Sequence, residues 1–259
     1  MDGRGGELMA KKPNSTVLVL LGLACALLSV RTAFAQAPTE RVAISINGSY
    51  QAGTSDVSST VGFEANAERG SYSYTFPVTP GPAFDVAARI RVRKNVGVGV
   101  AFTSFSASGA ADITGQVPHP FHFNQLRDIS GTTPMDRKET AFHIRATINS
   151  TPGKNLQYTV FVGPVLFSIK QDLVENVSYS DSYPYDLAAF SSASVRQISQ
   201  SKMGFGAGAD VAYYFSKNAG IGAVATVAKA NFSVKASDDS SVSLSAGGTS
   251  IGIGLRLRF

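Results

Sequence analysis

The sequence predicts an all-β chain: an eight-stranded antiparallel up-and-down transmembrane β-barrel over residues 36–259, preceded by a cleavable signal peptide over 1–35. Three observations carry this reading. Apolar residues recur at every second position in many segments, and the alternate positions are small or polar. Short turns alternate with long polar segments along the chain. One apolar run near the N-terminus is bracketed by lysines and a small-residue site. Strand side chains alternate faces with period two, so each segment offers one face to lipid and one to a polar lumen.

The apolar run is Val17 to Val30, with Lys11 and Lys12 before it and Ala33-Phe34-Ala35 after it. Its length falls short of the roughly 20 residues that a helical span needs, so it reads as a signal peptide cut after Ala35. Met9 offers a more ordinary start than Met1. Cys25, the single cysteine, lies inside this run and lacks a lipoprotein motif, so the mature chain has no thiol chemistry. Charged residues are 16%, against about 25% in soluble proteins. The chain has no basic run, which argues against nucleic acid as a partner.

The first strand is Arg41 to Gln51, where Val42, Ile44, Ile46, Gly48 and Tyr50 oppose Ala43, Ser45, Asn47, Ser49 and Gln51. A long loop over residues 53–81 follows. In the second strand, Phe84 to Arg93, Asp85, Arg89, Arg91 and Arg93 share one face. An arginine costs about 2–4 kcal/mol at the lipid midplane, so that face is the lumen. The return strand starts at Val96, and a three-residue loop Lys94–Val96 would set Arg91 against Gly99 and Arg93 against Gly97. Ser106 to Glu139 reads as a second long loop. Thr140 to Ile148 points Phe142, Ile144, Ala146 and Ile148 outward, and His143 and Arg145 inward. The fifth strand starts at Leu156, and its Gly163-Pro164 suggests a bulge. After a third long loop, Asp172 to Ser201, the sixth strand, Lys202 to Phe215, sets Gly204, Gly206, Gly208 and Asp210 inward. The seventh, Ala219 to Lys235, changes phase between Ile221 and Phe232, which suggests a bulge near Ala228–Ala230. A fourth loop over 236–243 leads to the last strand. There Thr249, Ile251, Ile253, Leu255, Leu257 and Phe259 face out, and Gly252, Gly254, Arg256 and Arg258 face in.

Short turns at one end and long loops at the other are the asymmetry of a bacterial outer-membrane barrel. Tyr158, Tyr213, Phe215 and Phe259 would form one aromatic girdle, and Tyr50, Phe102 and Phe142 the other. A soluble barrel would place large apolar residues inside, whereas here the inner set carries Arg89, Arg91, Arg145, Asp210 and Arg256.

Several segments together resemble the small outer-membrane β-barrel proteins, the porin-family or OmpA/OmpX-like group. They are the signal peptide, Lys94 to Val100, the Gly163-Pro164 strand, Gly204 to Asp210, Ser216 to Gly222, and Leu255 to Phe259. The likeness runs over residues 40–259. It implies location in the cell outer membrane. It also implies that Leu255, Leu257 and Phe259 form the signal read by the outer-membrane assembly machinery. Members differ in role: adhesion, envelope integrity, solute passage or complement resistance. A separate periplasmic domain for peptidoglycan anchoring is not implied.

Asp85, Arg89, Arg91, Arg145, Asp210 and Arg256 are expected to fill the lumen with a charge network, together with Asn47, Gln157 and Tyr214. The alternative is a narrow path for small, preferably anionic solutes. Arg137, Lys138, Lys170, Lys202 and Lys235 are expected at the external rim, where they would meet lipopolysaccharide phosphates. His119 and His122 lack a carboxylate or thiolate to complete a metal set, and His143 points away from lipid. The chain is therefore expected not to be an enzyme and to need no cofactor or metal. Its role is expected to be structural or surface-interacting, through outer-membrane lipid and an extracellular ligand of the loops.

Overall fold

The computed structural model describes residues 41–52, 55–237 and 240–259, and the side chains of these except at 232–237 and 240–243. The signal-peptide reading of residues 1–35 lies outside the described residues. Ten strands follow in order: β1 (Val42–Ala52), β2 (Val57–Ala65), β3 (Glu68–Phe76), β4 (Gly81–Arg93), β5 (Val96–Pro118), β6 (Leu126–Ser150), β7 (Leu156–Asp181), β8 (Ala188–Tyr214), β9 (Ala219–Ser237) and β10 (Ser240–Arg258). Eight of them close a ring of antiparallel neighbours, β1-β4-β5-β6-β7-β8-β9-β10 and back to β1. The remaining two, β2 and β3, form a hairpin inside the segment read as the first long loop, and β3 pairs with the far end of β5.

The ladder shows how lipid and lumen faces are assigned. On the outside, Val98, Ala146, Val162 and Ala207 lie in register across β5 to β8, as do Phe102, Phe142, Leu166 and Met203. These last four are all exposed, forming the top of an apolar belt. The next outward row is Ser104, Thr140, Ser168 and Ser201, and the one after it Ser106, Lys138, Lys170 and Ser199. Alternation persists across this step, but its polarity reverses. Beyond it the inward positions become apolar, with Phe105, Ala107, Ala111, Ile113 and Val117 buried along β5.

This reversal corrects the second and third long loops. Ser106–Glu139 and Asp172–Ser201 are strand continuations, with tips only at 119–125 and 182–187. Their inward residues pack with Tyr72, Tyr74 and Phe76 of β3 into one apolar cluster that also holds Phe167, Ile169, Leu173 and Leu244. Burying such side chains contributes about 1.5–3 kcal/mol each, which repays the order of so long an extension. The external half is not a closed ring. The β6–β7 ladder ends at Arg137–Gln171 and the β8–β9 ladder at Phe205–Lys229. Pro134, which has no N–H to donate, lies on the open side of β6 above that point.

Three smaller expectations change. The β4–β5 turn is two residues, Lys94-Asn95, with Arg93 against Val96, so Arg91 faces Gly97 and Arg89 faces Gly99. The facing of the arginines survives because the shift is by two. At Gly163-Pro164 the rungs to β6 are missing but the register is unchanged, so there is no bulge. A Cβ on Gly163 would sit 1.9 Å from Ile144 O, which is why the backbones can meet there. Nor does β9 bulge at Ala228–Ala230. The distortion sits opposite, at Gly247 and Gly248 of β10, with φ of +83° and +149°. The change of phase seen in the sequence is the polarity reversal itself, since Phe232 pairs with the inward Leu244.

Candidate functional site: the charged lumen and its rim

Strands β8, β10, β1, β4 and β6 put Asp210, Arg256, Asn47, Asp85 and Arg145 into one polar chain across the lower lumen, and Arg89, Thr159 and Asn149 form a second beside it. Arg256 Nε donates to Asp210 Oδ2 at 2.9 Å, and its Nη2 bonds the same oxygen. Arg256 Nη1 donates to Asn47 Oδ1 at 2.6 Å. Asn47 Nδ2 donates to Asp85 Oδ1 at 2.7 Å. Asp85 Oδ2 lies 3.6 Å from Arg145 Nη2, and Arg145 lies over the ring of Phe161 at 4.2 Å. Arg89 Nη1 donates to Thr159 Oγ1, whose own hydroxyl donates to Asn149 Oδ1 at 2.9 Å. Asn47, Asp85, Arg145, Asp210 and Arg256 are all buried. Asp85, Asp210 and Arg256 each have both a counter-charge and hydrogen bonds, which is how ion pairs persist at this depth, whereas Arg145 Nε and Nη2 face the Asp85 charge without a hydrogen bond. The cavity left among Asp85, Arg89, Arg145, Asp210 and Arg256 is ≈ 40 Å³, room for about one water molecule.

Arg137 corrects the rim set. It does not face lipid headgroups: it is 1% exposed and points into the barrel where β6 and β7 part. Its Nε donates to Glu139 Oε1 at 2.7 Å, and its Nη2 bonds Ser245 O. Glu139 Oε2 accepts from Gly247 N at 2.9 Å. This knot, missed at the sequence level, holds β6 to the kinked β10 across the lumen. The signal for it was the alternation: Arg137 and Glu139 share the parity of His143 and Arg145.

Lys138 and Lys170 are cross-strand partners, exposed on the outer face. Lys202 pairs with the inward Phe167 but is exposed, because β8 has left β9 at that height. The side chain of Lys235 lies outside the described residues. Leu255 and Phe259 are exposed on the outer face, and Phe259 closes the ring through backbone bonds with Arg41 and Val42. Leu257 is half-buried in the same row.

The histidines have local roles. His119 Nδ1 accepts from the backbone N–H of Phe121 and His122, both at 3.1 Å, so that nitrogen caps the β5–β6 tip. His143 is buried with Nε2 3.3 Å from Thr103 Oγ1. Among the described residues there is no cluster of three potential metal ligands. Arg127, also missed as a loop residue, is buried. It joins two tips through Asp181 Oδ1 at 2.5 Å, Tyr185 O at 3.1 Å and Pro118 O at 2.8 Å.

The closed ring, the apolar belt and the polar lumen define an outer-membrane-type β-barrel of eight strands. No family model matches the chain, and no curated protein matches it significantly. Solved structures similar to it include Neisserial surface protein A (12% identity, 84% of this chain and 97% of that one, TM-score 0.44). They also include the outer membrane protein OprG of Pseudomonas aeruginosa (12%, 85% and 97%, 0.45). A third is the outer membrane protease OmpT of Escherichia coli (9%, 88% and 99%, 0.46). At such identities the likeness concerns the fold and assigns no activity. It does correct one expectation. The reading that the chain is not an enzyme rested on its being a barrel without a familiar motif, and the similar barrels include a protease.

Proposed function

We propose that the chain is a surface protein of the bacterial outer membrane that acts through its external half, in envelope integrity or adhesion, with a lumen that does not conduct. The observation that carries this reading is the reversal of polarity along β5 to β7. A pore would keep polar residues inward to the end of its strands, whereas Phe76, Phe105, Ile113, Met135 and Leu244 are each at most 3% exposed above the charged network. The external ribbons then offer an outer surface of serine, threonine and charged residues, suited to adaptable polar contacts. Lys138 and Lys170 stand two rows above Phe102 and Phe142, at headgroup height, and support contact with lipopolysaccharide phosphates.

Single-channel recording of the refolded barrel in planar bilayers tests the sealed lumen. No steps are expected. Stable, ohmic, anion-selective steps that reverse when Arg89 and Arg91 are neutralised would establish the narrow channel instead.

A further inference from the structure

The two external tips expose apolar side chains that the barrel's own bilayer does not reach. Phe121, Phe123, Tyr183 and Leu187 are 68%, 75%, 87% and 81% exposed. From Phe102, at the top of the apolar belt, β5 climbs about 50 Å of strand before the first tip begins. The fold holds these side chains in place. Arg127 joins the tips through Asp181 Oδ1, Tyr185 O and Pro118 O. Asn124 N donates to Glu68 Oε1 at 2.6 Å, which ties in the β2–β3 turn. A surface ordered in advance loses little freedom on binding.

Three rings meet there. The Tyr185 ring lies 5.1 Å from Phe121 and 6.1 Å from Tyr183, centre to centre, at interplanar angles of 72° and 84°. The face of each ring is the negative end of its quadrupole. The charges around them carry the same sign: residues 119–128 and 181–190 hold Asp128, Asp181 and Asp186 against Arg127 alone. Arg127 is buried and taken by Asp181. Asp128 accepts from the neutral Gln116 amide at 3.2 Å, and Asp186 is exposed beside Tyr185. Near-perpendicular aromatic walls beside a carboxylate suit a quaternary ammonium, which offers only charge and methyl surface and no N–H. An anionic headgroup meets no exposed lysine or arginine in these two segments. Phe123 and Leu187 carry no polar side-chain atom, and such side chains enter the interface of a bilayer. A stable protein interface takes roughly 20–30 residues a side, more than the two tips supply, whereas a lipid surface sets no such minimum.

We propose that the joined tips dock on the choline headgroups of a phosphatidylcholine bilayer facing the bacterium; the inference rests on the reading of the external half as an adhesive surface. Phe121, Tyr183 and Tyr185 hold the ammonium, Asp186 balances its charge, and Phe123 and Leu187 enter between the headgroups. Many copies on one cell add avidity to a weak single contact.

The test uses the refolded mature chain in phosphatidylglycerol nanodiscs, passed over immobilised bilayers of phosphatidylcholine, phosphatidylethanolamine or phosphatidylglycerol, with empty nanodiscs as the blank. Binding to the choline lipid alone is expected, displaced by choline chloride and not by the same concentration of sodium chloride. Tyr183→Leu keeps an apolar tip but removes one ring, and should weaken that binding about threefold or more. Leu187→Ser should weaken it as well. Both positions are exposed, and a heat-dependent gel shift reports that each variant is folded. No binding to the choline lipid, equal binding to all three lipids, or unchanged binding by folded Tyr183→Leu would overturn the proposal. Binding to animal-cell membranes that protease treatment abolishes, with none to the pure lipid, would assign a protein partner and overturn it too. The underlying reading is scored separately by the single-channel recording: silent bilayers without lipid binding sink only the choline site, whereas conductance sinks the sealed surface protein whatever the lipid result.

Discussion

Replacing Arg256 with methionine removes the centre of the lower network while keeping much of its volume. The guanidinium is 2% exposed and makes bonds to both Asp210 and Asn47. Its loss strips the buried Asp210 carboxylate of its hydrogen-bonded counter-charge and orphans the Asn47 carbonyl oxygen. Breaking one partner of a buried pair costs about 3–5 kcal/mol, most of it from the charge left behind. Removing both charges is a different perturbation. An R256M/D210L double variant loses the pair but also its desolvation cost, and should return to within about 1 kcal/mol of the parent. The coupling between the two sites should therefore exceed roughly 2 kcal/mol, far from additivity. The chain has no tryptophan, so urea unfolding in lipid vesicles is best followed by far-ultraviolet circular dichroism and by the gel shift. A loss below about 1 kcal/mol in R256M, or a double variant as unstable as the two singles summed, would refute the network as a stabilising unit.

Three further outcomes are expected. Arg127→Ala should free the tips at 119–125 and 182–187, and chymotrypsin should cut within 182–187 at least about tenfold faster, because local opening governs cleavage there. Gly247→Ala places a Cβ 2.2 Å from Ala228 O at a φ of +83°. It should lower stability by about 1–3 kcal/mol and speed amide exchange in β9 near Ala228. Burial raises the Tyr74 hydroxyl to about 12, with Tyr72 adding to the effect. The neutral phenol is thus favoured in the folded state, and its contribution is complete below pH 10 and lost as pH rises from there through about 12. Unfolding midpoints should fall across that window, and Tyr74→Phe should shrink the fall. An equal fall in both proteins would show that the phenol does not titrate with the fold.

The lower half of this barrel was legible because its code is simple. Val96 to Phe102 and Phe142 to Ile148 put apolar residues at every outward position, and no arginine on a strand there can face lipid. The upper half was illegible for a physical reason. Ser104, Ser106 and Ser108 occupy the outward positions of β5, so a search for apolar faces carries the strand no further than Phe105, although the alternation runs on to Val117 with the faces exchanged. Arg137 illustrates the cost: a basic residue beside Lys138 reads as rim, and only parity with His143 and Arg145 places it inside. The β2–β3 hairpin was hidden likewise, since Tyr72, Tyr74 and Phe76 alternate inward onto a core that had not been foreseen. The register at Lys94-Asn95 was open to a slip of two because such a slip leaves every side chain on its own face.

The level at which the strands exchange their faces also works as a waterline. Sliding the barrel two rows deeper would bring Ser106, Lys138, Lys170 and Ser199 to the edge of the hydrocarbon. Raising it by as much would lift Phe102, Phe142, Leu166 and Met203 into water. The chain is thus ballasted at one immersion depth by its own wall. A bilayer of different thickness has to adjust at the short-turn end, where the exposed Val92, Val96, Ile148, Tyr158, Tyr213, Phe215 and Phe259 mark the lower margin.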